Sequence, residues 1–480
     1  MNKTASFYLL TDCHYVSKTC WEEGKPITRR ERGDQIALKL SPEILDTFVD
    51  RIIADKETDT VLFLGDNVNS GDMNSHYEFR ERLRKLAEAG KKVYVTVATH
   101  DYCSPDGEDE CFQKGAVRYT ENGTEPVPFM LRSGLGEFYE EFGPEQALSV
   151  DKESGSYTVK VGEGLRLIAI IDNGNGRSHC GLFDEGMKWL SDQIDEAKAA
   201  GDCVLLAVHH PVISPWKVFR HMVDYELYGG YEQLSALMCE KDVRAVFTGH
   251  THVQNIRRYI GENGNWFFDI STIALVNAFG KMRKVSFDSD SGLCTVESIG
   301  IDSIKDVDTA GEKASDYLYR INFTGLLESA LPYVSEDYDR FLEMTDGFLP
   351  VDKLEKHRGL VKFAVKKLLK MKLSTLAKFG RTKKILTAEQ YAYTRTVKAF
   401  DVIFAVMRHI YPGNAPYTPD TAENIVMGGV AGRLDRIVSR FKIGAVQKLI
   451  PPGSSLYEMV QDFLYNNRTG DDDFIEFSLK

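Results

Sequence analysis

Aspartate and histidine residues stand at five separate points of the chain where an apolar run ends. The segments are Thr11-Asp12-Cys13-His14, Gly65-Asp66-Asn67, Thr99-His100-Asp101, His209-His210-Pro211 and Gly249-His250-Thr251-His252. These residue types are unfavourable at the ends of buried strands, yet carboxylates and imidazoles are the ligands that hold pairs of divalent cations. The pattern therefore predicts one metal site, and hydrolysis of a phosphate ester is the chemistry that such a pair supports best.

The spacing within the segments strengthens this prediction. Asp12 and His14 lie two residues apart, as do His250 and His252, and residues i and i+2 of an extended strand point the same way. Each segment alone has a simpler interpretation, since Gly-Asp-Asn suits a turn and one histidine can be a packing residue. The conjunction of five strand ends, in a chain with only 11 histidines, favours the metal site. In α/β sheets, sites form at the carboxyl ends of strands.

The elements that must position these residues alternate between strands and helices up to about residue 300, which is typical of an α/β fold. Six short apolar runs have the length of buried strands. They are Phe7 to Leu10, Val61 to Leu64, Val93 to Val97, Leu167 to Ile171, Val204 to Val208 and Ala245 to Phe247. Helices are predicted from Ser41 and from about Phe183 to Ala199. Between residues 253 and 299 the pattern changes to four successive strands joined by hairpin turns.

Beyond about residue 310 the strands stop and a helical period dominates. We therefore predict two domains, residues 1–305 and an all-helical C-terminal domain of residues 306–480. Within the second, residues 353–384 carry 12 lysines and arginines against one acid, Glu355. Three interpretations stay open for this segment: an amphipathic helix with a solvated basic face, a weak contact with an anionic membrane surface or nucleic acid, or docking on the acidic remainder of the chain.

Composition narrows the class of protein. The net charge of −12 argues against a nucleic-acid-binding role for the chain as a whole. No run approaches the roughly 18 apolar residues that a membrane span needs, and the N-terminus lacks the pattern of a signal peptide. The eight cysteines form no Cys-x-x-Cys pair, which favours reduced thiols. We expect a cytoplasmic protein without a transmembrane segment; its oligomeric state stays open.

The order and spacing of the five segments resemble the calcineurin-like metallophosphoesterase superfamily, over about residues 5 to 290. The stretch Phe268-Asp269-Ile270-Ser271-Thr272 is similar to its phosphodiesterase-like members. The resemblance implies a four-layer sandwich, two mixed sheets flanked by helices, here with the added C-terminal helical domain. It also implies that one metal is held by the residues Asp12, His14, Asp66 and His252, and that Asp66 bridges to a second metal held by His209 and His250. As catalytic residues, His100 would face the leaving group and Asp101 would orient it.

Two departures from the family pattern concern the metals. The family's Gly-Asn-His-Asp is Ala98-Thr99-His100-Asp101 here, so Thr99 would offer a shorter and weaker ligand than an amide oxygen. A water could fill the gap, or the second metal could bind loosely. No tyrosine follows Asp66, which argues against the iron site of purple acid phosphatases. We expect two divalent ions, Mn or Fe first and Zn as the alternative.

The function that follows is a binuclear phosphoesterase in which a metal-bridging hydroxide attacks phosphorus. A phosphodiesterase acting on a small, nucleotide-type phosphate ester is the first expectation, with phosphomonoesterase or pyrophosphatase activity as the alternative. Asn67 and His210 are candidate substrate-binding residues, although His210 could equally be a packing residue. Residues 103–134 and 213–229 and the helical domain would shape the substrate site. A non-catalytic scaffold that keeps the fold is the alternative of another class.

Overall fold

A computed structural model describes residues 4–105, 113–172, 180–221, 227–441, 450–451, 453–466 and 470–480 of the chain. The chain forms two compact units. The larger comprises Met1–Pro215, Tyr225–Asn322 and Thr469–Lys480, and the smaller comprises Trp216–Asp224 and Phe323–Arg468. The domain boundary expected at residue 305 stays a prediction. Residues 106–112 and 222–226, which belong to the regions 103–134 and 213–229 expected to shape the substrate site, lie outside the described residues. So does the segment 173–177, whose sequence Asn-Gly-Asn-Gly-Arg is typical of a turn.

All strands of the described residues belong to the larger unit. They are β1 Thr4–Leu10, β2 Thr60–Leu64, β3 Lys92–Thr96, β4 Ala116–Tyr119, β5 Thr124–Val127, β6 Ser149–Val150, β7 Tyr157–Gly162, β8 Leu165–Ile170, β9 Cys203–Val208, β10 Ala245–Thr248, β11 Asn255–Ile260, β12 Trp266–Ser271, β13 Met282–Asp288, β14 Leu293–Ile299 and β15 Phe474–Ser478. The six apolar runs predicted as buried strands coincide with β1, β2, β3, β8, β9 and β10.

Seven α-helices accompany these strands in the larger unit. They are α1 Lys25–Asp34, α2 Ser41–Ala54, α3 Met73–Glu88, α4 Arg132–Phe138, α5 Asp184–Ala199, α6 Tyr231–Glu240 and α7 Ala314–Ile321. Helix α2 illustrates why they form. Its proline lies in the first turn, where the missing N–H costs nothing, and its apolar side chains recur at helical spacing on one buried face.

The strands form two mixed sheets. The first has the order β15-β14-β13-β1-β2-β3, and the second has the order β11-β12-β10-β9-β8-β7-β6. Strands β1, β2 and β3 run parallel to one another, as do β8, β9, β10 and β12, whereas the outer strands pair antiparallel. The parallel centre explains the continuous apolar runs, because such strands are buried on both faces.

Alternation along β1 shows how four layers pack. Phe7 and Leu9 belong to the core between the two sheets, together with side chains of β8, β9 and β10. Tyr8 and Leu10 point the other way, into a core shared with α2 and α3. A third core lies between the second sheet and helices α5 and α6. The predicted fold class, two mixed sheets flanked by helices with a C-terminal helical region, is confirmed.

The last strand differs from the sequence expectation that residues 306–480 are all helical. β15 pairs antiparallel with β14 from Leu293 opposite Ser478 to Glu297 opposite Phe474. Just before it, the carboxylate of Asp472 accepts hydrogen bonds from Ile256 N at 3.1 Å and Asn255 Nδ2 at 3.2 Å. The C-terminal residues are therefore part of the larger unit, and the helical residues are inserted ahead of its final strand.

The smaller unit is helical in its described residues. Its helices are α8 Phe323–Ala330, α9 Tyr333–Glu336, α10 Tyr338–Thr345, α11 Val351–Lys356, α12 Arg358–Leu368, α13 Leu373–Phe379, α14 Ala388–Tyr393, α15 Ala399–Ile410, α16 Ala422–Phe441 and α17 Leu456–Leu464. An apolar cluster around Phe341 and Phe404 joins several of them. Among the described residues of both units, no helix has the length and apolar character needed to cross a bilayer.

Candidate metal centre

The five predicted segments meet at the carboxyl ends of strands from both sheets. Asp12 and His14 follow β1, Asp66 follows β2, His209 follows β9, and the last two histidines follow β10. Backbone hydrogen bonds fasten the segments to one another, as from Asp12 N to Gly65 O at 3.1 Å and from Gly249 N to His209 O at 2.9 Å. The site therefore depends on the register of both sheets.

Six of the predicted ligands form two groups of three. Asp12, His14 and His252 compose the first, and Asp66, His209 and His250 the second. Within each group, one ligand atom from each residue lies within 4.8 Å of the other two. The two groups are close together, because Asp12 Oδ1 of the first group lies 3.8 Å from His209 Nε2 of the second. Within the first group, the same oxygen lies 3.4 Å from His252 Nε2. The structure thus brings all six residues together, while the bridging role of Asp66 stays a prediction.

The hydrogen bonding of the first group fits a cation. His14 Nε2 and His252 Nε2 are only 3.0 Å apart, so without a metal one of them must carry a proton toward the other. Burial and neighbouring imidazoles lower the pKa of His14, whereas the Asp12 carboxylate outweighs burial and raises the pKa of His252. Among the described residues, buried Asp12 Oδ1 has no hydrogen-bond partner. A divalent ion would be coordinated by the Asp12 carboxylate and by both imidazoles at once.

In the second group, a backbone carbonyl orients the His209 imidazole so that its other nitrogen faces the carboxylates. Its Nδ1–H donates to the carbonyl of Leu64 at 2.8 Å, which leaves Nε2 toward the carboxylates. That Nε2 lies 3.1 Å from Asp66 Oδ2. Burial alone would lower the pKa of His209, but the Asp66 and Asp12 carboxylates raise it to about 10. Two buried carboxylates thus create a strongly cation-binding position here.

The backbone of the site is strained. Five of the six residues have positive φ: Asp12 at 51°, His14 at 39°, Asp66 at 49°, His250 at 66° and His252 at 59°. Such left-handed conformations are uncommon outside glycine and cost roughly 1–3 kcal/mol each, and they cluster at functional sites. The strand-end geometry of i and i+2 residues is therefore replaced by turns that aim these side chains into one cleft.

Two motif glycines are required by close approach. A Cβ on Gly249 would lie 2.2 Å from Thr11 Oγ1 and 2.6 Å from Asp12 Oδ2. A Cβ on Gly65 would lie 2.7 Å from His209 Nδ1, and the φ of Gly65 is 80°. Any side chain at either position would displace a candidate metal ligand.

His100 lies beside the first group, with its ring centroid 4.7 Å from that of His14. Its backbone N–H donates to Asp66 Oδ1 at 2.8 Å, and its Nδ1 lies 2.7 Å from the carbonyl of Asn69. A carbonyl only accepts, so Nδ1 is protonated and Nε2 is the nitrogen available to a substrate. Burial lowers the pKa of His100.

The Asp101 carboxylate is hydrogen-bonded to the backbone and side chains that surround its own turn. Its carboxylate accepts from Val68 N at 3.0 Å, Ala98 N at 2.8 Å and Asn67 Nδ2 at 3.1 Å. His100 and Asp101 are consecutive in a short 3-10 turn, and the Asn69 carbonyl accepts from the His100 imidazole. The role of Asp101 in orienting His100 stays a prediction. Asp101 organises the turn, and burial raises its pKa to about 7.

Asn67 is also part of this scaffold. Its side chain is fully buried, and Nδ2 donates to Thr96 O at 2.8 Å as well as to Asp101. Nδ2 is therefore committed to this scaffold, and the substrate-binding role of Asn67 stays a prediction. Thr99 is buried in the same turn, and its carbonyl accepts from Gln113 Nε2 at 3.3 Å. The metal-ligand role of Thr99 stays a prediction.

His210 belongs to a pair that sequence reasoning identified only in part. Asp172 Oδ2 accepts from both the backbone N and Nδ1 of His210, each at 3.0 Å. The centroid of the His210 ring lies 4.1 Å from that of the His250 ring. The Asp172–His210 pair therefore packs against His250, a candidate metal ligand. Asp172 lies two residues after the end of β8, and the strand-end rule that selected the other residues would have selected it too.

Asp269 is a second supporting residue that was not predicted. Its carboxylate accepts from the backbone of Val212 and Ile213, both at 2.8 Å, and from Thr248 Oγ1 at 2.6 Å. It therefore fixes the loop after His209 and the end of β10 together. Burial raises its pKa to about 6. Only the resemblance over residues 268–272 pointed to this position.

The chain is similar to several known proteins. A family model described as calcineurin-like phosphoesterase matches residues 5–254. A search of curated proteins found no match. Among solved structures, the chain is similar to a dimetal phosphatase from Danio rerio, with 11% identity, 62% of this chain and 96% of the other covered, and a TM-score of 0.41.

Two further solved structures are similar to parts of the chain. A purple acid phosphatase from yellow lupin seeds shares 14% identity over 62% of this chain and 52% of the other, with a TM-score of 0.41. The Thermus thermophilus sulfate thiohydrolase SoxB shares 15% identity over 58% and 53%, with a TM-score of 0.29. At these values the structural similarities add nothing to the family match.

Proposed function

Because the chain belongs to the calcineurin-like phosphoesterase family, we propose that it is a hydrolase of phosphate esters that depends on two divalent metal ions. The observation that carries the proposal is the pair of three-residue groups, Asp12 with His14 and His252, and Asp66 with His209 and His250. Ions of Mn, Fe or Zn suit this mixture of carboxylates and imidazoles. When bound, such a pair supplies positive charge for phosphoryl oxygens and lowers the pKa of water toward neutrality.

The chain's own residues prepare the reaction in two ways. Carbonyls hold the imidazoles of His209 and His100 in fixed tautomers, through Leu64 and Asn69. His100 thereby presents Nε2 next to the first group. In the imidazolium form, this nitrogen can donate a hydrogen bond, and then its proton, to the ester oxygen of the leaving group. Such acid assistance is worth roughly 10²–10⁴ in rate.

A cavity of about 620 Å³ supports a substrate with a sizeable organic group. Its lining includes Val97, which directly precedes the Ala98–Asp101 turn, and Ile171, which directly precedes Asp172. Arg132 and Lys152 add two positive charges, and Glu153 one negative charge, beside apolar side chains. This mixture suits a nucleotide-type phosphodiester, which we propose as the first substrate class. A phosphomonoester or a pyrophosphate is the second.

We propose the cytoplasm as the location of the protein. The free thiols Cys13, Cys20, Cys103, Cys180, Cys203, Cys239 and Cys294 support a reducing compartment.

The test combines metal analysis with paired ester assays. The protein purified with added Mn should bind about two ions and hydrolyse bis-nitrophenyl phosphate faster than mono-nitrophenyl phosphate. Chelation should abolish both activities, and metal should restore them. Fewer than one bound ion, with neither ester hydrolysed, would instead identify a non-catalytic scaffold. Faster hydrolysis of the monoester would still support a hydrolase, but one whose substrates are phosphomonoesters rather than phosphodiesters.

Two variants separate the proposed roles. Asp66→Ala should abolish turnover and reduce the metal content, because it removes a charged ligand. His100→Ala should keep its metal and lose much less activity on nitrophenyl esters, whose leaving groups need little protonation, than on alkyl esters. His357→Ala, an exposed histidine of the smaller unit, is the matched control and should behave like the native protein. Equal and complete loss in both variants would contradict this division.

A further inference from the structure

The outward side of helix α12 carries large apolar residues in an unusually exposed position. Leu360 is 67% exposed and Phe363 is 63% exposed, and they lie three residues apart on the same side of the helix. The opposite side already has a partner, since Val361, Val365 and Leu369 pack against the apolar core of the smaller unit. The exposed pair is therefore additional to the side that folds the unit.

Lysines surround this exposed pair. At 3.6 residues per turn, Lys366 and Lys367 fall on the same side as Leu360 and Phe363. Lys370 lies in the turn directly after the helix, and we call these five residues the basic face. All five side chains are exposed. The Lys367 ammonium lies 5.7 Å from the centroid of the Phe363 ring, so cationic and apolar groups are interleaved rather than separated.

Within the part of the chain that the structure describes, the charge of the basic face is not neutralised. Arg358, at the start of the helix, forms ion pairs with Asp339 and Glu355. By contrast, no carboxylate among the described residues lies within ion-pair distance of Lys366 or Lys370. Scattered exposed apolar residues are ordinary, but an apolar pair ringed by unneutralised cations has a specific complement: a surface that offers anions outside and hydrocarbon beneath.

We propose that the basic face docks the protein on the surface of an anionic phospholipid bilayer. The lysines would contact lipid phosphates and carboxylates, and Leu360 and Phe363 would enter the boundary between headgroups and acyl chains. A nucleic acid could satisfy the lysines and stack one base on Phe363, but it offers no apolar environment to Leu360. We favour the bilayer because it offers a suitable contact to every residue of the basic face.

The test is co-sedimentation of the full chain with vesicles. Vesicles that contain phosphatidylserine should bind the native protein, pure phosphatidylcholine vesicles should bind it much more weakly, and about 0.5 M salt should release it because exposed charges are screened. Changing Lys366, Lys367 and Lys370 to glutamine should weaken binding roughly hundredfold, at about fivefold for each cation. Leu360→Ser and Phe363→Ser should each weaken it by about tenfold.

A matched variant controls for loss of any exposed apolar residue. Ile260→Ser changes a residue of β11 in the larger unit that is 62% exposed, and it should bind vesicles like the native protein. All variants should keep native far-UV circular dichroism and native ester hydrolysis, since none lies in the proposed metal centre. Equal binding to both kinds of vesicle, or no binding to either, would overturn the proposal. So would tight RNA or DNA binding that ignores the Leu360 and Phe363 changes.

Discussion

Replacing Phe477 by alanine tests whether the last strand belongs to the larger unit. Phe477 is 7% exposed, and its ring contacts that of Phe268 in a tilted edge arrangement with centroids 5.2 Å apart. It lies in the core between the two sheets. Truncating a buried phenylalanine removes its burial and leaves a cavity, which costs about 3–5 kcal/mol. Against a typical total of about 5–15 kcal/mol, the loss is large.

Phe474 in the same strand provides the matched control. It is 49% exposed, so Phe474→Ala should change the free energy of unfolding by less than about 1 kcal/mol. The two variants share the residue type, the strand and the substitution, and differ in burial. Any difference between them therefore reports on the packing of β15 rather than on its composition.

Amide hydrogen exchange of the β13 and β14 peptides is the appropriate assay, because two units need not unfold as one. With Phe477→Ala, exchange that requires unfolding of this sheet should accelerate roughly 10²- to 10³-fold or more, as 3–5 kcal/mol implies. With Phe474→Ala it should stay near the native rate. Equal acceleration in both, or none in either, would refute the placement of β15 in the core.

Two further predictions concern the site and its surroundings. Gly249→Ala should cost most of the hydrolase activity and lower the metal content, because the added Cβ would meet Thr11 and Asp12 at 2.2 and 2.6 Å; native activity would contradict this reasoning. Burial lowers the pKa of His76 to about 4, so the folded protein keeps it neutral while the unfolded chain protonates it below about 6.5. Stability should therefore fall by up to about 3 kcal/mol as the pH drops from 6.5 to 4. His76→Gln should flatten that dependence in urea unfolding, and an unchanged slope would disprove the assignment.

Much of the fold followed from the sequence, because buried parallel strands produce continuous apolar runs that few other elements imitate. The residues at their ends were equally visible. Asp and His after an apolar run are rare enough that Asp12, Asp66 and His209 could be selected without coordinates. The same rule also covers Asp172, whose supporting role becomes visible only through its contact with His210.

Other features lay beyond sequence reasoning for physical reasons. The contact between His100 and the Asn69 carbonyl is made by backbone, and backbone carbonyls leave no trace in residue type. The positive φ of Asp12 and His14 replaced the simple i, i+2 geometry. Strand β15 is short and has Phe-Ile-Glu-Phe-Ser for a sequence, and only the pairing with β14, 181 residues earlier for Thr295 and Glu476, distinguishes it from a frayed helix end.

The position of β15 also orders events during synthesis. A ribosome makes β1 to β14 first, then spends roughly 7–30 s on residues 323–468 at about 5–20 residues per second, before the closing strand exists. Throughout that interval β14 is an open edge, with unpaired backbone groups that can recruit a neighbouring nascent chain. A cell that makes this protein rapidly must therefore shield that edge, or accept aggregation of nascent chains whose final strand has not yet been made.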